Sequence, residues 1–134
     1  LEVRIALDSN RYSDLRRIVP EVVEFLKGVE EIHVPIIVLG ELRAGFAGGT
    51  RRGENERALS VFLRQEGVYV VVPDQQTTHV YADMRAFLKE LGLPIPTNDL
   101  WIAALAVQHN LVLFDRDSHF DRLPQVARVG QLGL

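Results

Sequence analysis

The chain has 134 residues, of which 47% are hydrophobic and 25% charged, and a formal net charge of −3 at neutral pH. This is enough chain to bury a real core in one domain spanning residues 1–134, and it excludes a disordered or fibrous polymer. The absence of cysteine excludes disulfides and thiolate metal sites and makes a reducing cytoplasm the expected setting, while no apolar run approaches the roughly 20 residues of a membrane span.

Val3 to Leu7 alternates apolar and polar residues and ends at Asp8-Ser9-Asn10, a first strand that delivers an acid to its carboxyl end. The opening LEVRIALD has neither a basic lead nor a long apolar stretch, so it does not resemble a signal peptide. Tyr12 to Ile18 is expected to form a short helix, and Pro20 opens a second that Gly28 closes. Glu31 to Val34 is a brief strand. After Pro35 comes the helical stretch IIVLGELRAGF, in which Ile36, Ile37, Leu39, Leu42 and Phe46 surround Glu41. Beyond Gly48-Gly49, Arg51 to Glu66 reads as a polar helical arm with Leu59, Phe62 and Leu63 as its buried stripe. The β-branched run Val68 to Val72, ended by Pro73, is expected to be a buried strand, and Gln75 to Leu91 an amphipathic helix stopped by Gly92.

The segment LWIAALAV, Leu100 to Val107, has no polar face, so the rest of the domain must cover it on all sides. Thr97 or Asn98 is the expected N-cap. That places Asp99 in the first turn, where the helix dipole favours its charge and should keep it ionised at neutral pH. The strand Leu111 to Phe114 runs into Asp115-Arg116-Asp117, and two-residue alternation projects Asp115 and Asp117 together. Val126 to Val129 is a candidate last edge strand. Short strands separated by helices, with no hairpin signal, predict an α/β domain with a mostly parallel central sheet and helices on both faces. Ligands in such sheets bind beyond the carboxyl ends of the strands, where Asp8, Asp115 and Asp117 fall.

Asp8, Glu41, Asp99 and Asp117 each end or interrupt an apolar element that must reach the core. Taken singly, each has an ordinary role: a cap for Asp8 or Asp99, an Arg pair for Glu41. Taken together they would repel one another unless a cation sat among them, and oxygen ligands favour Mg²⁺ or Mn²⁺ over Zn²⁺. His33, His79, His109 and His119 show no metal-binding spacing and read as surface or turn residues, with only His119 near the acids. Of 15 basic residues all but Lys27 and Lys89 are Arg, the side chain suited to bidentate phosphate contacts. A receiver or phosphatase built on acids around Mg²⁺ is a rival reading, as is a binding module without catalysis. The first would place a Lys at a late strand end or an acid where Asn10 stands, and the sequence does neither.

LDSN at the end of the first strand, LGEL in an early helix, then PTNDLWIAA and DRDSHF together resemble the PIN domain, and within it the VapC toxins of toxin–antitoxin pairs. The resemblance runs over almost the whole chain and implies a three-layer α/β/α fold. It places the family's metal-binding acids on Asp8, Glu41, Asp99 and Asp117 and its polar position after the first acid on Asn10. The family has Thr or Ser where this chain has Asp115; alternation aims Asp115 at the pocket, where it would orient a water from outside the metal's own ligands. The resemblance further implies an endoribonuclease dependent on Mg²⁺ or Mn²⁺ that hydrolyses RNA phosphodiesters with a metal-activated water. It also implies a homodimer and a cognate VapB-like antitoxin that inhibits the enzyme. Arg85 and Arg116 are then the candidates for holding the RNA backbone.

Overall fold

Strands and helices alternate along the chain. Within residues 3–131, which a computed structural model describes, β1 (Arg4–Leu7), β2 (Glu31–Pro35), β3 (Val68–Val71) and β4 (Val112–Phe114) form one sheet in the order β3-β2-β1-β4, with every pairing parallel. Leu1 and Glu2 of the opening segment lie outside the described residues. Parallel neighbours need crossover connections. The helices between strands supply them: α1 (Ser9–Arg16), α2 (Pro20–Lys27), α3 (Ile36–Ala47), α4 (Arg52–Leu63), α5 (Gln75–Leu91) and α6 (Thr97–Gln108). This is the α/β fold with a parallel central sheet flanked by helices that the sequence predicted. Among the described residues no helix is long and apolar enough to cross a membrane.

Proline and glycine set the helix limits. Pro20 occupies the first turn of α2 and Gly28 its C-cap, and Gly92, at φ 68°, ends α5 in the left-handed conformation. A β-carbon on Gly92 would meet nothing within 4 Å. Gly92→Ala should therefore cost only the backbone penalty, about 1 kcal/mol in urea unfolding; a loss of a few tenths would show that the helix end relaxes instead.

Helix α6 is the covered element its composition requires. Asp99, Leu100 and Ile102 to Ala106 are buried, and half-buried Trp101 stacks on Tyr81 of α5, with ring centroids 4.0 Å apart at 19°. At its far end Gln108 Nε2 donates to Asp74 Oδ1 at 2.9 Å, and the same oxygen accepts from the Thr77 backbone N–H at 3.1 Å. The capping box of α5 is thereby tied to the end of α6.

Three local expectations fail. The run Val68 to Val72 is not a buried strand: β3 is the sheet edge, with Tyr69 50% and Val70 42% exposed. A β-branched run signals extended backbone, not the number of neighbours it will have. Val126 to Val129 forms no strand, only an isolated bridge between Leu113 and Arg128 followed by a short 3₁₀ turn, Val129–Gln131. Neither Thr97 nor Asn98 caps α6; Pro96 holds that position without a side-chain bond, its φ of −56° already suiting the helix start.

The strand order locates the site. From β1 the chain moves out through β2 to β3 and then returns to β4 on the other side of β1, so the carboxyl ends of β1 and β4 flank a topological switch point.

Candidate active site

Asp8 follows β1 immediately and stands at the N-cap of α1, yet its side chain makes no capping bond and is only 3% exposed as part of the whole residue. Burial pushes its pKa up to about 7; the Ser9 backbone N–H opposes this, and the charges of Glu41, Asp99 and Asp115 add to it. Asp99, buried in the first turn of α6, is also raised, first by burial, against a hydrogen bond with His119 and with the charge of Asp117. The helix dipole that should hold it low is outweighed by desolvation and neighbouring acids. Glu41 projects from the middle of α3. Burial raises its pKa too, the polar groups of Asn98 and Ser9 ease it, and Asp99 and Asp117 repel it. Its Oε1 is buried without a hydrogen-bond partner. Asp117 caps the 3₁₀ turn Ser118–Arg122, accepting from the His119 backbone N–H at 2.9 Å. Asp8 after β1, Glu41 on α3, Asp99 in the first turn of α6 and Asp117 in the turn after β4 thus lie around the switch point: Asp8 feels the charges of Glu41 and Asp99, and Glu41 and Asp99 both feel that of Asp117.

The remaining candidates are placed differently. Strand β4 stops at Phe114, so alternation does not carry through to Asp117. The Asp115 carboxylate is instead gripped from both sides by Arg128, with Nη2 to Oδ1 at 2.7 Å and Nε to Oδ2 at 3.0 Å. Its Oδ1 also accepts from the Asp117 backbone N–H at 3.1 Å, which fixes the turn. Arg116 donates from Nε and Nη2 to buried Asp14 at 2.9 and 3.2 Å, and that bond, helped by Arg11 and against the opposing effect of burial, holds the Asp14 carboxyl below its usual range. A guanidinium engaged in this way is less available to phosphate than the sequence suggested. Arg85 is exposed on α5, in a cleft it shares with Lys89, Leu93 and Ile95. Asn10 lies half-buried in the first turn of α1, just beyond Asp8.

Sequence reasoning missed His119. Its Nδ1 lies 2.9 Å from Asp99 Oδ2 and 3.0 Å from Asp117 Oδ1, and one donor atom from each of Asp99, Asp117 and His119 falls within 4.8 Å of the others. The signal was its position two residues after Asp117, at the start of a turn that folds back on its own cap. Arg128, set in the apolar stretch VARVG, carried no comparable signal.

The PIN domain family model matches residues 5–126. The chain belongs to the PIN domain family. Within it the chain stands with the VapC toxins. It is 32% identical over 108 residues to Ribonuclease VapC1 of Haemophilus influenzae, covering 80% of this chain and 79% of that one. It is 31% identical over 122 residues to Toxin FitB of Neisseria gonorrhoeae, covering 85% and 88%. Among solved structures it resembles VapBC2 of Rickettsia felis bound to a DNA fragment from their promoter, with a TM-score of 0.83, 26% identity, and 92% and 96% of the two chains covered.

In this PIN domain the strain of the acidic cluster should be measurable as stability. The folded-state pKa of Asp8, about 7, lies above the ordinary 3.8, so the folded chain holds that proton more tightly than the unfolded chain. The resulting stabilisation is complete below the unfolded value and is lost as pH rises through the folded one. Without divalent ions, Asp8→Asn should match wild type near about pH 4 and exceed it above about pH 7 by on the order of 2–4 kcal/mol in urea. Parallel stability profiles for the two proteins would show that Asp8 is not strained.

Proposed function

We propose that this PIN domain is an endoribonuclease dependent on Mg²⁺ or Mn²⁺, acting in the cytoplasm as the toxin of a VapBC-type pair. What supports it most is that the acids around the switch point raise one another's pKa values, Asp8 with Glu41 and Asp99 and both of these with Asp117, while among the described residues the salt bridges of Arg116 and Arg128 go to Asp14, Asp115 and Asp121 instead. A buried Glu41 oxygen without a partner and an Asp8 pKa near 7 are what an oxygen-rich cation site looks like before its cation is counted. Asp8, Glu41, Asp99 and Asp117 would hold the ion. When bound, a divalent ion supplies a Lewis acid that polarises the phosphodiester and acidifies a water.

The chain's own residues do the rest. The acids, fixed on core elements, set where the scissile phosphate can approach, and half-buried placement excludes bulk water from one side of it. Arg128 holds Asp115 and so anchors the turn that carries Asp117. Arg85, free in its exposed cleft, would bind the RNA backbone. Asn10 and Asp115 would act around the site rather than on the ion. No side-chain nucleophile is required.

The test is direct: purified protein should cleave RNA with Mg²⁺ or Mn²⁺ and stop on chelation. Cleavage that persists with excess chelator would sink the metal assignment. Binding of RNA without cleavage in either ion would leave a non-catalytic module. For association, the VapBC complexes among its structural relatives support a VapB-like antitoxin as partner. The helical arm from Ile36 to Leu63 offers a surface for it or for a second copy, with Ile36 40% and Val61 53% exposed. We expect a homodimer; a monomer by light scattering at tens of micromolar would count against it.

A further inference from the structure

The imidazole of His119 occupies a place the carboxylate scheme does not explain. Its Nδ1 is 2.9 Å from Asp99 Oδ2 and 3.0 Å from Asp117 Oδ1, with the side chain 40% exposed and therefore reachable by solutes. Two ligands on adjacent positions of an octahedral ion, each about 2.1 Å from it, lie about 3.0 Å from one another. The nitrogen thus already stands at ligand spacing from two acids. Its position is fixed from behind, because the His119 backbone N–H donates to Asp117 Oδ1 at 2.9 Å and Phe120, the next residue, is fully buried. A hydrogen bond between Nδ1 and the carboxylates fits the same distances.

We propose that His119 Nδ1 is a direct ligand of the ion held by Asp99 and Asp117, so that the site is a mixed nitrogen–oxygen site selective for Mn²⁺ or a later first-row divalent ion over Mg²⁺. The inference rests on the assignment of Asp99 and Asp117 as ion ligands made under the proposed function. Imidazole adds little for Mg²⁺, a hard ion that prefers oxygen and retains its waters, and much for transition ions.

The readout is spectroscopic and needs no substrate. Full-length protein loaded with Mn²⁺ should show ¹⁴N modulation in pulsed electron paramagnetic resonance, and His119→Gln should remove it. Titration calorimetry should show Mn²⁺ affinity falling about tenfold or more in His119→Gln, with Mg²⁺ affinity changing less than about threefold, and His119→Ala should repeat the pattern. Circular dichroism checks that both variants fold; if one does not, the nitrogen signal of the wild type still decides. Mn²⁺ bound with no nitrogen coupling, or equal losses for the two ions, overturns the inference while leaving the nuclease reading intact. Failure of the wild type to bind either ion overturns both.

Discussion

Asp99→Asn should lower RNA cleavage by at least about a hundredfold while leaving the fold intact. The amide keeps the size of the side chain and can still meet His119 Nδ1, now 2.9 Å from Asp99 Oδ2, but it removes the charge that would hold a divalent ion, and losses of outer partners alone cost tenfold or more. Asp8→Asn should lose activity to a similar extent for the same reason, and it should do so while the ion-free protein becomes more stable. Activity and stability moving in opposite directions is the signature of a functional acid, since a structural acid would lose both. Asp74→Ala is the control. It removes the capping box of α5, where Asp74 accepts from the Thr77 N–H at 3.1 Å, and should cost about 1 kcal/mol of stability with cleavage unchanged. If Asp8→Asn and Asp99→Asn both cut RNA within a few-fold of wild type, the cluster is structural.

The second large effect is expected at Arg128, which joins the turn after β4 by donating to the Asp115 carboxylate and to the Asp117 carbonyl. Arg128→Ala would leave the Asp115 carboxylate, whose side chain is 1% exposed, charged and unpaired in the interior, a change that typically costs about 3–5 kcal/mol. Arg128→Lys should recover only part of this, because an ammonium cannot reproduce the two-sided grip of a guanidinium on one carboxylate. The paired replacement Asp115→Asn with Arg128→Met should recover most of it, since no charge is then stranded. Chemical denaturation of the three proteins at neutral pH decides the matter. A loss below about 1 kcal/mol in Arg128→Ala would mean that Asp115 reaches water once its partner is gone.

Much of this architecture could be read from residues. Pro20, Gly28 and Gly92 punctuate helices where the sequence put them, and the all-apolar face of α6 predicted its burial. The parallel sheet followed from helices separating every pair of strands. What could not be read depended on tertiary neighbours. Nothing in the run Val68 to Val72 says that β3 has a partner on one side only, because edge and centre strands share a β-branched composition. The four acids were visible as interruptions of apolar elements; among the described residues the structure sets ligand atoms of Asp99 and Asp117 within 4.8 Å of one another and of His119, with Asp8 and Glu41 close enough for neighbouring acids to raise their pKa values. Their surroundings were not visible: Arg116 turns to Asp14 across the fold, and Arg128 reaches Asp115 from a segment with no periodicity of its own. His119 escaped because ligand spacing was sought along helices, whereas a 3₁₀ turn folds its second residue back onto its cap.

The position of β4 between the chain's ends has a consequence for synthesis on the ribosome. β1 is made before β4, so their pairing waits for all the residues between them, and the ion pair between Asp14 and Arg116 joins residues 102 positions apart. At roughly 5–20 residues per second, several seconds separate the two sides of the acidic cluster. On the reading proposed above, a nascent or prematurely ended chain holds Asp8 and Glu41 but never Asp117, so the polypeptide emerging beside the cell's own RNA stays harmless until its last strand slots in next to its first.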